Sequence, residues 1–129
     1  MTFLTEEEAK HKPKSQVGDG VESVHFQDLM DAVLTDTVVV KIDIEGHECK
    51  ALIPYLQTKI KSKFVPYILM EWIIVKDNRD GMCPDVQLLI QGFIDSGYHP
   101  ADLVSMKKLN VLQQKSWNNV LWIHKDAKL

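Results

Sequence analysis

The sequence predicts an α/β chain on a mixed, mostly parallel sheet whose last strand runs antiparallel. Three observations carry that expectation. The run Val38–Ile44 is rich in β-branched residues, and near-continuous apolarity of this kind suits a strand covered on both faces. Strand-like and helix-like patterns then alternate as far as Phe93, the order that right-handed βαβ crossovers and parallel pairing require. Finally, the link before Val120 is short, which suits an antiparallel return.

Taken in order, residues 1–20 read as a loose or disordered tail. Glu6–Glu8, Lys10, Lys12, Pro13 and Lys14 crowd it, and Phe3 and Leu4 are its only large apolar side chains before Val17. Gly18 and Gly20 lack the preceding apolar strand and the third glycine of a phosphate-cradling loop, so a linker is the better reading. The folded domain is expected over residues 21–129. Val21–His25 fits a short strand, and Phe26, Leu29, Met30 and Val33 mark one helical stripe. After the Val38–Ile44 strand, Gly46 permits a sharp reversal into a helix. That helix carries Cys49, Leu52, Ile53, Leu56 and Ile60, with Pro54 favouring a kink inside it. Lys59, Lys61 and Lys63 crowd its far end, where cations complement the helix dipole, and they read as a solvated terminus ahead of a phosphate site.

Tyr67–Val75 follows as a second buried strand, interrupted by Glu71. Asp77–Cys83 is a loop, Pro84 suits a first helical turn, and Val86, Leu89, Ile90 and Phe93 form a third stripe that stops at Gly97. Tyr98–Val104 and Asn119–His124 are the expected last strands.

Whole-chain properties exclude several classes. At 129 residues the chain holds one domain at most, and 45% apolar with 26% charged residues is ordinary for a soluble globular protein. A net charge of −3 argues against general nucleic-acid binding. No apolar run approaches the ~20 residues of a membrane span, and the start lacks a secretory apolar core. Cys49 and Cys83 make neither a zinc quartet nor a disulfide framework, so free thiols and a cytoplasmic setting are expected, with Cys49 a small buried hydrophobe.

The chemistry gathers after the triple valine. Ligands of open α/β sheets bind beyond the carboxyl ends of the strands, and Asp43, Glu45, His47 and Glu48 fall there. Alternation sends Asp43 and Glu45 to one face, where a carboxylate can orient a hydroxyl or take its proton; either acid could instead cap the next helix. Glu48 reads as a partner of the helix dipole, and His47 as a surface residue with the alternative of a general base. Glu71, inside an apolar strand, needs a paired or solvated place and is expected beside Glu45, with Trp72 walling the pocket. A divalent cation held by Asp43, Glu45, His47 and Glu71 is a weaker alternative, since no ligand spacing demands it. Trp117, Trp122 and Tyr98 read as core or rim aromatics.

The run K-I-D-I-E-G-H-E resembles the signature of the FkbM-like methyltransferases, at Lys41, Asp43, Glu45, Gly46 and Glu48. The resemblance extends loosely from about Val21 to the last strand. It implies the later half of a Rossmann-like, S-adenosylmethionine-dependent class I methyltransferase fold, which also ends in an antiparallel strand. It further implies methyl transfer to an oxygen of a small molecule or sugar. Asp43 and Glu45 would be catalytic, Asp43 and Gly46 would meet the cofactor, and His47, Glu71 and Trp72 would meet the acceptor. The strand and glycine turn that usually grip the cofactor are not found upstream of Val21. Such a truncated sheet leaves the first strand at an edge, where a second copy or a partner chain could pair. A non-catalytic interaction module is therefore the second reading.

Overall fold

The computed structural model describes residues 24–44, 46–78, 81, 83–112 and 119–128. The expectations for residues 1–20 and for Trp117 lie outside them, as does most of the expected Val21–His25 strand. His25 itself is the N-cap of the first helix, α1 (Phe26–Ala32). Its buried residues, Phe26 and Met30, are the i and i+4 pair of the apolar stripe.

Four strands form one sheet in the order β1-β2-β4-β3. These are β1 (Val40–Ile42), β2 (Tyr67–Glu71), β3 (Tyr98–Asp102) and β4 (Asn119–His124). β1 and β2 pair in parallel, with Ile42 opposite Met70. β4 inserts between β2 and β3 and is antiparallel to both. The last strand is thus antiparallel as expected, but its central position leaves β1 and β2 as the parallel strand pair among the described strands. The parallel Thr37–Phe64 bridge extends that pair, and the sheet is not mostly parallel. The fold is mixed α/β with a partly parallel sheet.

Between β1 and β2 runs α2 (Glu48–Gln57), with Pro54 inside it. The segment expected to extend β2 to Val75 instead leaves the sheet after Glu71 and coils into a short helix, α3 (Ile73–Lys76). Ile73 and Val75 are buried there, so an apolar run with no period of its own follows the tertiary burial available to it. α4 (Val86–Asp95) precedes β3 and buries Leu89 and Phe93. Ile60 falls beyond the end of α2 and is exposed, so the stripe stops at Leu56.

The main core lies between the sheet and the α2–α4 layer. Val40, Ile42, Ile68, Met70, Val120 and Trp122 face Leu52, Leu56, Leu89 and Phe93 within one buried cluster. Phe93 stacks on Trp122 at 4.0 Å between ring centroids, 6° from parallel. The two helices approach closely at Gly92, where an added Cβ would lie 3.2 Å from that of Leu56.

The first strand is not covered on both faces. Val40 and Ile42 are buried while Lys41 is exposed and Val39 is 64% exposed. A smaller apolar cluster of Ala101, Leu121 and Ile123 occupies the second face nearer β3, with Tyr67 and Leu69 against it. The sheet edges differ too. β3 carries Pro100, which lacks an N–H, and Lys108 bridges to Ala101 along it, whereas β1 is the other terminal strand.

The expectation of free thiols is overturned. Cys49, in the first turn of α2, is bonded to Cys83, just ahead of α4. Their Cα atoms are 5.4 Å apart, within the usual range for a bridge, and both side chains are buried. Two half-cystines from distant segments had no short spacing by which to signal their pairing.

Candidate functional site

The carboxyl rim of the parallel pair is organised by a turn. β1 ends at Ile42, and Gly46 then takes φ 99°, a left-handed conformation that favours glycine, two residues before α2 begins. Glu48, only 2% exposed, folds its carboxylate back over this turn. Its Oε1 accepts the N–H of Gly46 at 2.8 Å, and its Oε2 accepts that of Ile44 at 3.1 Å. The His47 N–H closes the turn onto the Ile44 carbonyl at 3.2 Å.

Burial pushes the Glu48 carboxyl above the ordinary range, and the neighbouring charge of Asp43 adds to this. The N–H groups of Ile44, Gly46 and Glu48 itself pull in the opposite direction without prevailing. Glu48 is therefore a buried receptor for backbone donors as well as a residue of the first helical turn. The sequence signal for this was its place two residues after the glycine, where a helix-initiating acid can reach back.

Asp43 is exposed at the end of β1. Continuing the β1–β2 register by one residue from Ile42↔Met70 brings Asp43 alongside Glu71, the last residue of β2, which is half-buried. In-register residues of a parallel pair share a face, so the two carboxylates belong to the face opposite the helices. His47 is exposed at the N-cap of α2 and makes no capping bond with its side chain. Glu45 lies outside the described residues.

Trp72 is not at the surface. It is fully buried, its Nε1 donates to the Val111 carbonyl at 2.6 Å, and its ring meets Trp122 edge-on at 5.8 Å. Contact with an acceptor is closed to it in this arrangement; it ties the segment before β4 to the core. The structure thus brings Asp43, Gly46, His47 and Glu71 to one rim and sends Trp72 inward. Among the described residues, no group of three or more His, Cys, Asp or Glu side chains is placed to hold a metal ion. None of the rim residues lines the two cavities that flank the C-terminal and outer sides of α2.

These features define a small α/β protein with a polar strand-to-helix turn at the parallel pair of β1 and β2. No helix among the described residues is long and apolar enough to cross a membrane. No protein-family model, curated protein or solved structure matches the chain.

Proposed function

We propose that this chain forms the later half of an FkbM-type, S-adenosylmethionine-dependent methyltransferase acting on an oxygen of a small molecule or sugar. The observation that carries the reading is the turn after β1. It delivers Asp43 to the rim beside Glu71 and holds Gly46 in its left-handed conformation through Glu48. The antiparallel β4 also agrees with the ending that the sequence resemblance implies. In this reading the rim carboxylates orient the acceptor hydroxyl and receive its proton, and catalysis rests on holding that oxygen in line with the transferable methyl. Asp43 offers the cofactor one exposed carboxylate, while Gly46, buried and with its N–H given to Glu48, shapes the turn that presents it; the cofactor's charge and methyl group would supply the electrophile.

Calorimetric titration of the cofactor into the purified chain tests the proposal. Heat of binding that disappears in Asp43→Ala supports it, and silence at about millimolar cofactor removes it in favour of the second reading.

That second reading, a non-catalytic interaction module, is favoured by the first strand. Among the described strands β1 is terminal in the sheet, and its neighbour Val39 is 64% exposed, which suits addition of a strand from a second copy. Light scattering at rising concentration then shows a dimer that Val39→Lys dissolves. The cytoplasmic assignment rested on free thiols, and the bonded Cys49–Cys83 pair withdraws that support, because such bridges persist chiefly in oxidising compartments.

A further inference from the structure

The turn after β3 holds apolar side chains out in solvent. Ile42, Met70, Val120 and Asp102 lie in one register row across the sheet, so this turn rises from the same rim as the carboxyl ends of β1 and β2. Beyond Asp102 the chain folds straight back. Asp102 donates its N–H to the Lys107 carbonyl at 2.8 Å, and Ala101 bridges antiparallel to Lys108. The tip between them is Leu103, Val104, Ser105 and Met106, all exposed. Val104 is 92% exposed, Leu103 43% and Met106 39%.

The backbone of this tip is unusually well supplied with internal acceptors. Asp102 Oδ2 accepts the N–H of Val104 at 3.1 Å and that of Ser105 at 2.7 Å. The Asp102 carbonyl accepts the Met106 N–H at 2.8 Å, and the Ser105 hydroxyl accepts that of Lys107 at 3.3 Å. Met106 takes φ 62°, left-handed backbone that a long side chain seldom adopts. In water such a turn can leave its N–H groups to solvent. At a hydrocarbon boundary it cannot, because an unsatisfied backbone group is costly there. Each amide from Val104 to Lys107 can therefore leave water without losing its acceptor.

The charges beside the tip differ in their commitments. Lys107 and Lys108 follow it directly, and both are exposed. Asp102, the acid of the turn, gives its carboxylate to N–H groups. Glu71 is separated from β3 by β4, about 10 Å away by strand spacing, and Asp43 lies on the strand beyond. Two ammonium groups thus flank an aliphatic tip. A protein partner needs roughly 800 Å² of complementary surface per side, far more than one four-residue turn offers. None of the four residues lines the cavities beside α2, so a walled apolar ligand site is not formed there. A lipid surface requires neither feature: aliphatic side chains enter the acyl boundary while lysines stay among the headgroups.

We propose that the Leu103–Met106 turn inserts into the surface of an anionic lipid bilayer, with Val104 deepest and Lys107 and Lys108 against the headgroups. The attachment is peripheral, and with so small an apolar area it is weak and reversible. It sets the rim that carries Asp43 and Glu71 toward the lipid surface. It does not rest on the methyltransferase reading and stands or falls without it.

The test is co-sedimentation of the full chain with vesicles of phosphatidylcholine alone and of phosphatidylcholine mixed with phosphatidylserine. Val104→Ser, which removes apolar surface and no charge, and the double variant Lys107→Ala with Lys108→Ala are run beside it. All three positions are exposed, and thermal melting first confirms that the variants fold as the wild type does. Binding to the phosphatidylserine vesicles is expected, loosened by salt. Val104→Ser should weaken it about tenfold, and loss of the lysines about fivefold for each. No binding at about millimolar lipid overturns the proposal. Wild-type binding in Val104→Ser overturns insertion of the tip, and equal binding to both vesicle types overturns the part given to the lysines. Self-association that Val104→Ser abolishes, without any vesicle binding, gives the turn to a protein interface and overturns the lipid assignment.

Discussion

At the carboxyl rim of β1 and β2, Glu48 gives both oxygens to backbone N–H groups, and a disulfide fixes the helix that carries it. At the opposite rim, the buried Tyr55 hydroxyl has no hydrogen-bond partner among the described residues, and Lys59, Lys61 and Lys63 border the cavity beside it. Both rims are polar, yet one uses its polarity to fix a backbone turn and the other buries a hydroxyl that no described group answers. The acids that drew attention in the sequence include one that is mainly architectural, while the lysine run that read as a solvated helix end borders a cavity. Residue type alone did not distinguish these uses; the fate of each hydrogen-bonding group did.

The largest effect that would sharpen this contrast is removal of the covalent tie. Cys49 and Cys83 are 34 residues apart, and closing a loop of that length contributes about 4 kcal/mol by the chain-entropy argument. Thermal or denaturant unfolding with and without a reductant should show a loss of that order. An unchanged midpoint would mean that the carboxyl rim is held without the bridge.

Glu48→Ala comes next. It leaves the N–H groups of Ile44 and Gly46 without their acceptor in a buried turn, a loss of roughly 2–4 kcal/mol in urea titration. Glu48→Gln keeps one acceptor oxygen and should cost about half as much. The pH dependence has a definite sign. Because the folded chain holds the Glu48 proton more tightly than the unfolded chain, the stability tied to that proton is present at low pH. It is lost as pH rises from the ordinary carboxylate value of 4.5 through the raised one. The difference between wild type and Glu48→Gln should shrink across that interval.

At the other rim the corresponding window is alkaline. Tyr55 keeps its proton in the fold up to about 12 against an ordinary value of 10.0, so its contribution is lost as pH rises between those values. Tyr55→Phe should remove that part of the alkaline loss and leave stability at neutral pH unchanged or slightly higher, since a buried, unpartnered hydroxyl costs free energy. The smallest effect on stability is expected for Asp43→Ala, within about 0.5 kcal/mol, because the side chain is exposed. A large loss there would show that Asp43 helps to build the turn, and would bring the two rims' acids closer in role.

Much of the architecture was legible because periodicity reports burial. The stripes of Phe26–Met30, Cys49–Leu56 and Val86–Phe93 became helices, and the glycine after β1 marked its turn. What misled was apolar content without period. Val38–Ile44 implied a doubly covered strand, yet Lys41 faces out; Ile73–Val75 implied strand and became helix. Both are long-range outcomes, fixed by which surface another element happens to cover. At the candidate site, the expectation that Asp43 and Glu71 lie at the carboxyl ends of their strands came from the sequence. The register that sets Glu71 nearer Asp43 is known from the structure alone. The inward turn of Trp72 was not legible either, because its indole is placed by a carbonyl 39 residues away. The cavity at Tyr55 was invisible for the same reason, being assembled from three separate stretches of chain, 55–65, 92–98 and residue 124.

The bridge between Cys49 and Cys83 has one more consequence. Its covalent ring encloses nearly all of α2, the whole of β2 and α3. A single proteolytic cut between residues 50 and 82 would therefore yield two polypeptides that still migrate together and part only when the sulfurs are reduced.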